Sequence, residues 1–152
     1  VTGLDTSTYK RFYVLYRCLH NSGGGSMRFH FMNDSTLRVG NYGAICTYDS
    51  DTAGMNSTGY DHNNGNFGYI GDPHTSVAAS MTGHFDITMG ADSQYPTMVG
   101  MSYGSNSTPN TIMHIYGTQR ETTSDAVNGF QVSPTANNIY GVLNTYGVKE
   151  SS

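Results

Sequence analysis

The sequence predicts an all-β protein, a single antiparallel β-sandwich of about nine strands spanning residues 1–152. Hydrophobic and polar residues alternate with a period of two along most of the chain, as expected for strands that bury one face. The strand-like segments are short and are separated by turns rich in Gly, Asn, Asp and Ser. Strong helix formers are scarce, because only 12% of the residues are charged and Gly alone accounts for 19 positions.

The first predicted strand runs from Tyr9 to His20 and has two distinct faces. Phe12, Val14, Tyr16 and Cys18 lie on one face. Arg11, Tyr13, Leu15 and Arg17 share the other, which is amphipathic and indicates either a strand covered on both sides or a subunit contact. A Gly-rich turn follows. The next strand, 26–32, turns Met27, Phe29 and Phe31 inward and Arg28 and His30 outward.

The remaining strands are predicted from the same alternation between turn-like segments. They cover 41–48, 67–70, 77–88, 97–103, 111–118, 129–132 and 139–148. The predicted core comprises the apolar residues on the inward faces: Phe12, Val14, Tyr16, Met27, Phe29, Phe31, Phe85, Ile87 and Val148.

Charge and hydropathy restrict the possible partners. The net charge is −4 and the basic residues form no cluster beyond the Lys10–Arg11 pair, so we expect no nucleic-acid binding. No apolar run is long enough for a transmembrane helix, so no membrane insertion is expected. Because the chain opens on Val1, we expect a processed product or a fragment. The outward strand faces carry few Lys or Glu, which indicates edges or faces covered by other subunits.

Residues that could carry chemistry form no recognisable catalytic motif, so no catalytic residue, metal ligand or cofactor is predicted. His84 and Asp86 share a strand face and could bind a metal with His30, but no metal-ligand spacing supports this. Cys18 and Cys46 are interpreted as buried free thiols, with a disulfide between neighbouring strands as the alternative.

The long polar segment 49–65 and the residues after it are the predicted ligand-binding region. Long loops in compact domains often carry function, and sugar sites combine an aromatic face with amide and carboxylate groups. The alternative is that the aromatic residues only pin the loop to the sandwich. The candidate ligand-binding residues are Tyr60, Asp61, His62, Asn63, Asn64, Asn66 and Tyr69.

Several short motifs resemble those of β-sandwich domains on tailed-phage virions, especially attachment domains of phages from aquatic hosts. They are a first strand of the form Y-K-x-F-x-V, a second strand with R-F, a central G-x-F-D-I strand and a terminal Y-G-V strand. In this sequence they correspond to Tyr9–Val14, Met27–Phe31, Gly83–Ile87 and Tyr146–Val148.

The resemblance implies a jelly-roll-like sandwich on the virion surface that is not an enzyme and forms a homotrimer. It would serve as a tail-fibre or receptor-binding domain that attaches to a host-surface glycan, or as a capsid decoration protein that contacts other virion proteins. A cellular carbohydrate-binding module or lectin is the alternative function.

Overall fold

A computed structural model describes residues 1–20, 27–50, 54–56, 67–71, 80–89, 95–107, 110–120, 127–135 and 139–149. Within these ranges the chain is all-β and has no helix. The strands are β1 Arg11–His20, β2 Met27–Asn33, β3 Thr36–Leu37, β4 Tyr42–Ser50, β5 Gly54–Asn56, β6 Gly68–Gly71, β7 Ser80–Thr88, β8 Thr97–Ser107, β9 Asn110–Arg120, β10 Gly129–Pro134 and β11 Ile139–Val148.

The strands form two antiparallel sheets, which confirms the predicted β-sandwich. The large sheet has seven strands in the order β11-β1-β7-β8-β9-β4-β5. The small sheet has four, with β2 between β10 on one side and both β3 and β6 on the other. All nine predicted strands are present, and the short strands β3 and β5 were not predicted. The jelly-roll topology stays a prediction, because this strand order does not establish it.

The two sheets enclose an aromatic core. Phe29 of β2 contacts Phe85 of β7, with ring centroids 5.7 Å apart. Phe130 of β10 packs edge-on against the same Phe85 ring at 5.6 Å. Tyr42 of β4 stacks on Phe31 of β2. Aromatic pairs in these geometries stabilise a core beyond the area that they bury, so these rings hold the two layers together.

Eight of the nine predicted core residues are buried, and Val148 is the exception. Val148 lies opposite Arg11 in the register of β11 with β1. Directly opposed residues share a face, and Arg11 points away from the core. Val148 is therefore half-buried on the outside of the sheet, and its assignment to the core was wrong.

The inner face of the large sheet contains two glycines where a side chain could not fit. A Cβ at Gly100 would lie 2.3 Å from the carbonyl oxygen of His84 and 2.6 Å from Cβ of Phe85. At Gly83, a Cβ would lie 2.6 Å from the Tyr16 hydroxyl. That hydroxyl is 2.9 Å from the Tyr116 hydroxyl in a buried hydrogen bond. The glycines thus leave the space that these large rings occupy.

The second face of β2 is also buried, so the prediction that His30 points to solvent was wrong. His30 lies 6.1 Å from the ring of Phe67 and 6.2 Å from that of Tyr42. Burial lowers the pKa of His30, and the nearby positive charge of Arg28 acts in the same direction. Alternation indicated which side of the sheet His30 occupies, but not that neighbouring rings would cover that side.

The two cysteines lie in strands that are far apart in the large sheet. Cys18 is in β1 and Cys46 is in β4, and β7, β8 and β9 lie between these strands. Four strand spacings correspond to about 19 Å, whereas the Cα atoms of a disulfide are at most about 7 Å apart. Cys46 is buried and is not part of a disulfide, which confirms the prediction for this residue. In the described ranges, no helix is long and apolar enough to cross a membrane.

Candidate functional site on the outer face of the large sheet

The predicted ligand-binding loop lies only partly within the described residues. Asp49 and Ser50 end β4 and Gly54–Asn56 form β5, so the prediction of irregular structure was wrong for these residues. Of its candidate residues, only Tyr69 belongs to a described strand, β6, where its backbone lies opposite Arg28. The glycan site therefore stays a prediction. The residues that lie outside the described ranges are Tyr60, Asp61, His62, Asn63, Asn64 and Asn66.

Phe67, which follows this loop, packs against the small sheet. The guanidinium carbon of Arg28 lies 4.1 Å from the centre of the Phe67 ring, a cation–π geometry. The His30 ring flanks the same phenyl group. This aromatic residue therefore anchors the start of β6, as expected in the interpretation that aromatic residues pin the loop.

The structure separates the three residues weighed as metal ligands. His84 and Asp86 lie on the face of β7 that points away from the small sheet, whereas His30 lies on the opposite side of the sandwich. Asp86 is instead paired with Arg11, whose Nη2 is 2.8 Å from the carboxylate. Among the described residues, no group of three or more His, Cys, Asp or Glu is arranged to hold a metal.

Tyr42 is the buried group with the clearest change in acidity. Burial raises its pKa to about 12, although a hydrogen bond from the Phe31 amide and the charges of Arg120 and Arg38 oppose this rise. The Tyr42 hydroxyl accepts a hydrogen bond from the Phe31 amide at 2.8 Å and donates one to the Arg38 carbonyl at 2.8 Å. It therefore links β4 to the small sheet.

The most unusual surface is the outer face of the large sheet, which is the face turned away from the small sheet. The described part of the chain exposes fourteen large hydrophobic residues, and ten of them lie on this one face. They are Leu15, Ile45, Val99, Met101, Tyr103, Met113, Ile115, Tyr140, Val142 and Tyr146.

The strand register divides these residues into two groups, because the outer face of β7 between them carries Thr82, His84, Asp86 and Thr88. Leu15 and the three residues of β11 lie on one side, and the residues of β8, β9 and β4 form continuous rows on the other. Met101 of β8 lies opposite Ile115 of β9, and Tyr103 lies opposite Met113. In the next row, Val99 and Ile45 flank Gly117. Ile45 is 63% exposed and Val99 is 58% exposed, although both are β-branched residues of a kind usually found in a core.

The outer face carries little charge. Among the described strands, its charged residues are Arg11, Arg17, Asp86 and Asp49 of β4, which the register places opposite Met113. The outer positions of β8 and β9 carry no charged residue. A shallow depression of about 250 Å³, lined by Leu15, His84, Met101 and their neighbours, is open to solvent.

The outer face is broad, and its main apolar group covers about half of it. Six strands at the usual spacing and three rows of side chains give roughly 29 Å by 20 Å, or about 600 Å², of which β8, β9 and β4 account for roughly 300 Å². The largest patch on a typical monomer is about 300–600 Å² and is often functional. A standard protein–protein contact covers about 800 Å² on each partner, so this face is of the right order for an interface.

Sequence reasoning found this surface only in part. The amphipathic second face of β1 and the scarcity of outward Lys and Glu pointed to a covered face. The exposure of Val99, Met101 and Ile115 was missed, because β8 and β9 have apolar residues on both faces. In such strands, alternation separates two faces without showing which one is buried.

Comparisons with known proteins identified no relative: no family model, no curated protein and no solved structure matches the chain.

Proposed function

We propose that this chain is a non-enzymatic structural protein of a phage virion surface, and that it assembles through the outer face of the large sheet. The observation that carries the proposal is the concentration of ten exposed hydrophobic residues on that face. Exposed apolar surface is costly in water, so an apolar patch of this size favours a surface that a protein partner covers.

The shape of the face supports a protein partner over a small ligand. Small-molecule sites are concave and combine apolar walls with a few convergent polar groups. The depression beside Met101 is shallow, and its lining includes Leu15 and Met113. An apolar group on β8, β9 and β4 that is flanked by charged residues, such as Asp86 and Asp49, is more typical of a protein interface, whose core is depleted in charge.

Two arrangements fit this proposal. In an attachment protein, the outer face joins the subunits of a homotrimer and the loop that includes Tyr60, His62 and Tyr69 contacts a host-surface glycan. In a capsid decoration protein, the same face contacts other virion proteins. Both place the chain on the virion surface, without nucleic acid or membrane insertion. The motif resemblance supports this setting, and the attachment arrangement is the one that the predicted loop favours.

The first test is the mass of the purified chain in solution, measured by light scattering over a range of concentrations. We expect a trimer that dissociates on dilution. A monomer at all concentrations would contradict self-assembly and leave contact with other virion proteins as the role of the face. A monomer that binds glycans would favour a carbohydrate-binding module.

The loop is tested separately by replacing Tyr60, His62 and Tyr69 with Ala. Loss of adsorption to host cells, with an unchanged trimer mass, would support receptor binding by the loop. Unchanged adsorption would show that the receptor site lies elsewhere. The matched control is Thr88→Ala, an exposed position on the polar rim of the outer face.

A further inference from the structure

The edge strand β11 is long, and no strand in the described ranges covers its outer edge. It pairs with β1 over ten consecutive residues without a shift in register. None of the described strands pairs with its other side. No residue of β11 is buried, whereas β1 buries Phe12, Val14 and Tyr16. Within the described part of the chain, one edge of β11 therefore has a row of main-chain N–H and C=O groups without a strand partner, the usual template for adding another strand.

The other edges described in this fold are shorter or blocked. β3, β5 and β6 have two, three and four residues, and β4 lacks a described strand partner on one side only over the residues before Tyr48. On β10, Phe130 exchanges two main-chain hydrogen bonds of 3.0 Å with Val1. Main-chain groups point to alternate sides along a strand. The N–H and C=O groups of β10 that point away from β2 therefore belong to Phe130, Val132 and Pro134. Pro134 has no N–H to offer, and proline on an edge strand prevents further pairing.

β11 has none of these protective features. Its sequence, IYGVLNTYGV, contains no charged residue and no proline, and its pairing with β1 has no bulge. We propose that β11 pairs antiparallel with β11 of a second copy of this chain, about a twofold axis, so that the two large sheets become continuous. A strand without charge is self-complementary in this pairing, because no like charges are brought opposite each other.

Alternation restricts the register of this pairing. Tyr140, Val142, Asn144 and Tyr146 lie on the outer face, and the odd-numbered residues face inward. Opposed residues in an antiparallel pair share a face, so the twofold axis must lie between two copies of the same residue. The two registers that overlap nearly the whole strand place either Leu143 or Asn144 opposite its own copy.

The register centred on Leu143 matches the side chains better. It places Tyr140 opposite Tyr146 of the other copy on both sides of the axis, and aromatic cross-strand pairs stabilise sheets. It also places the two Leu143 side chains together on the inner face. Leu143 and Ile139 line a cavity of about 260 Å³ at this open side of the sandwich, so the second copy would cover apolar surface there.

This contact uses a strand edge and not the outer face, so it is independent of the proposed function. If the outer faces also form a trimer, pairing of β11 would join one trimer to another.

Disulfide cross-linking tests the pairing at exposed positions. Chains carrying Val142→Cys and Asn144→Cys, one with a mass tag, are co-expressed and oxidised mildly. In the Leu143-centred register, Val142 of one copy lies opposite Asn144 of the other. We therefore expect the mixed dimer to form severalfold more than either dimer of identical variants. The unmodified chain and Thr88→Cys, an exposed position away from β11, provide the background.

Cross-linking of Asn144→Cys with itself would support the pairing with the axis at Asn144. Cross-linking no stronger than that of Thr88→Cys, in every combination, would overturn the proposal. The experiment is repeated with Ile115→Asp, which removes the outer-face contact. We expect the β11 cross-link to persist there, and its loss would show that β11 is not an independent contact.

Discussion

Replacing Ile115 with Asp is the sharpest test of the outer face. Ile115 lies near the centre of the apolar part, opposite Met101 of β8 and Thr47 of β4, and is 48% exposed. In an isolated chain the new carboxylate can remain in water, so we expect the free energy of unfolding to fall by less than about 1 kcal/mol. In an assembly the same carboxylate would be buried against a partner.

The effect on assembly follows from the exposed fraction of the side chain. Burying an isoleucine completely stabilises by about 1.5–3 kcal/mol, so covering the exposed half contributes roughly 1 kcal/mol per subunit. Burying a carboxylate without a partner costs at least about 2 kcal/mol more. The total of about 3 kcal/mol per subunit corresponds to a roughly hundredfold weaker contact for each interface.

The assay is light scattering across a dilution series, together with thermal unfolding of each variant. Thr88→Asp adds the same charge to the polar rim of the same face, beside Arg11, and is the matched control. We expect Ile115→Asp to be monomeric at concentrations where the unmodified chain and the control are trimeric. An unchanged trimer in a folded Ile115→Asp variant would refute the assignment of this face as the interface.

Three further predictions concern the fold. Gly100→Ala should destabilise by about 3 kcal/mol in thermal or urea unfolding, because the added Cβ would collide with the β7 backbone and Phe85. Gly117→Ala, whose Cβ would have its nearest neighbour at 3.8 Å, should change stability little; equal losses would contradict the steric argument. Tyr116→Phe should cost about 1 kcal/mol in urea unfolding, because it removes the buried hydroxyl that bonds to Tyr16, and an unchanged midpoint would count against that bond. The lowered pKa of His30 means that the unfolded chain binds a proton more readily than the folded one, so stability falls as the pH drops below the ordinary histidine pKa of 6.5. His30→Phe should flatten this decrease in melting temperature with pH, and an identical pH profile would exclude His30 as its source.

Much of the fold could be predicted because most inner faces are clearly apolar. Phe12, Val14 and Tyr16 alternate with Tyr13 and Arg17, and this period of two correctly placed β1 and its buried face. Prediction failed where composition does not distinguish the faces. Val148 was assigned to the core as an apolar residue, but its pairing with Arg11 puts it outside. The two-residue strand β3 is too short to show any alternation.

The two candidate sites, the loop and the outer face of the large sheet, also differ in how well the sequence could predict them. Residues such as Tyr60 and His62 stood out in the sequence by their chemistry, and their role in binding stays a prediction. The outer face consists of ordinary residues such as Val99 and Met101, which have no distinctive motif and would suit a core equally well. The outer face can be recognised as a candidate interface only when the order and register of several strands are known.

The sequence by itself therefore determined the all-β class, the position of nine strands and most of the core. These features depend on the alternation of hydrophobic and polar residues, which involves only neighbours in the chain. Tertiary structure decided the strand order, the large apolar outer face and the unprotected edge of β11. These depend on which strands pair over long separations in the chain, such as β1 with β11 and β4 with β9. A small sheet of four strands covers one side of the large sheet, and this asymmetry leaves Ile45, Val99 and Ile115 exposed.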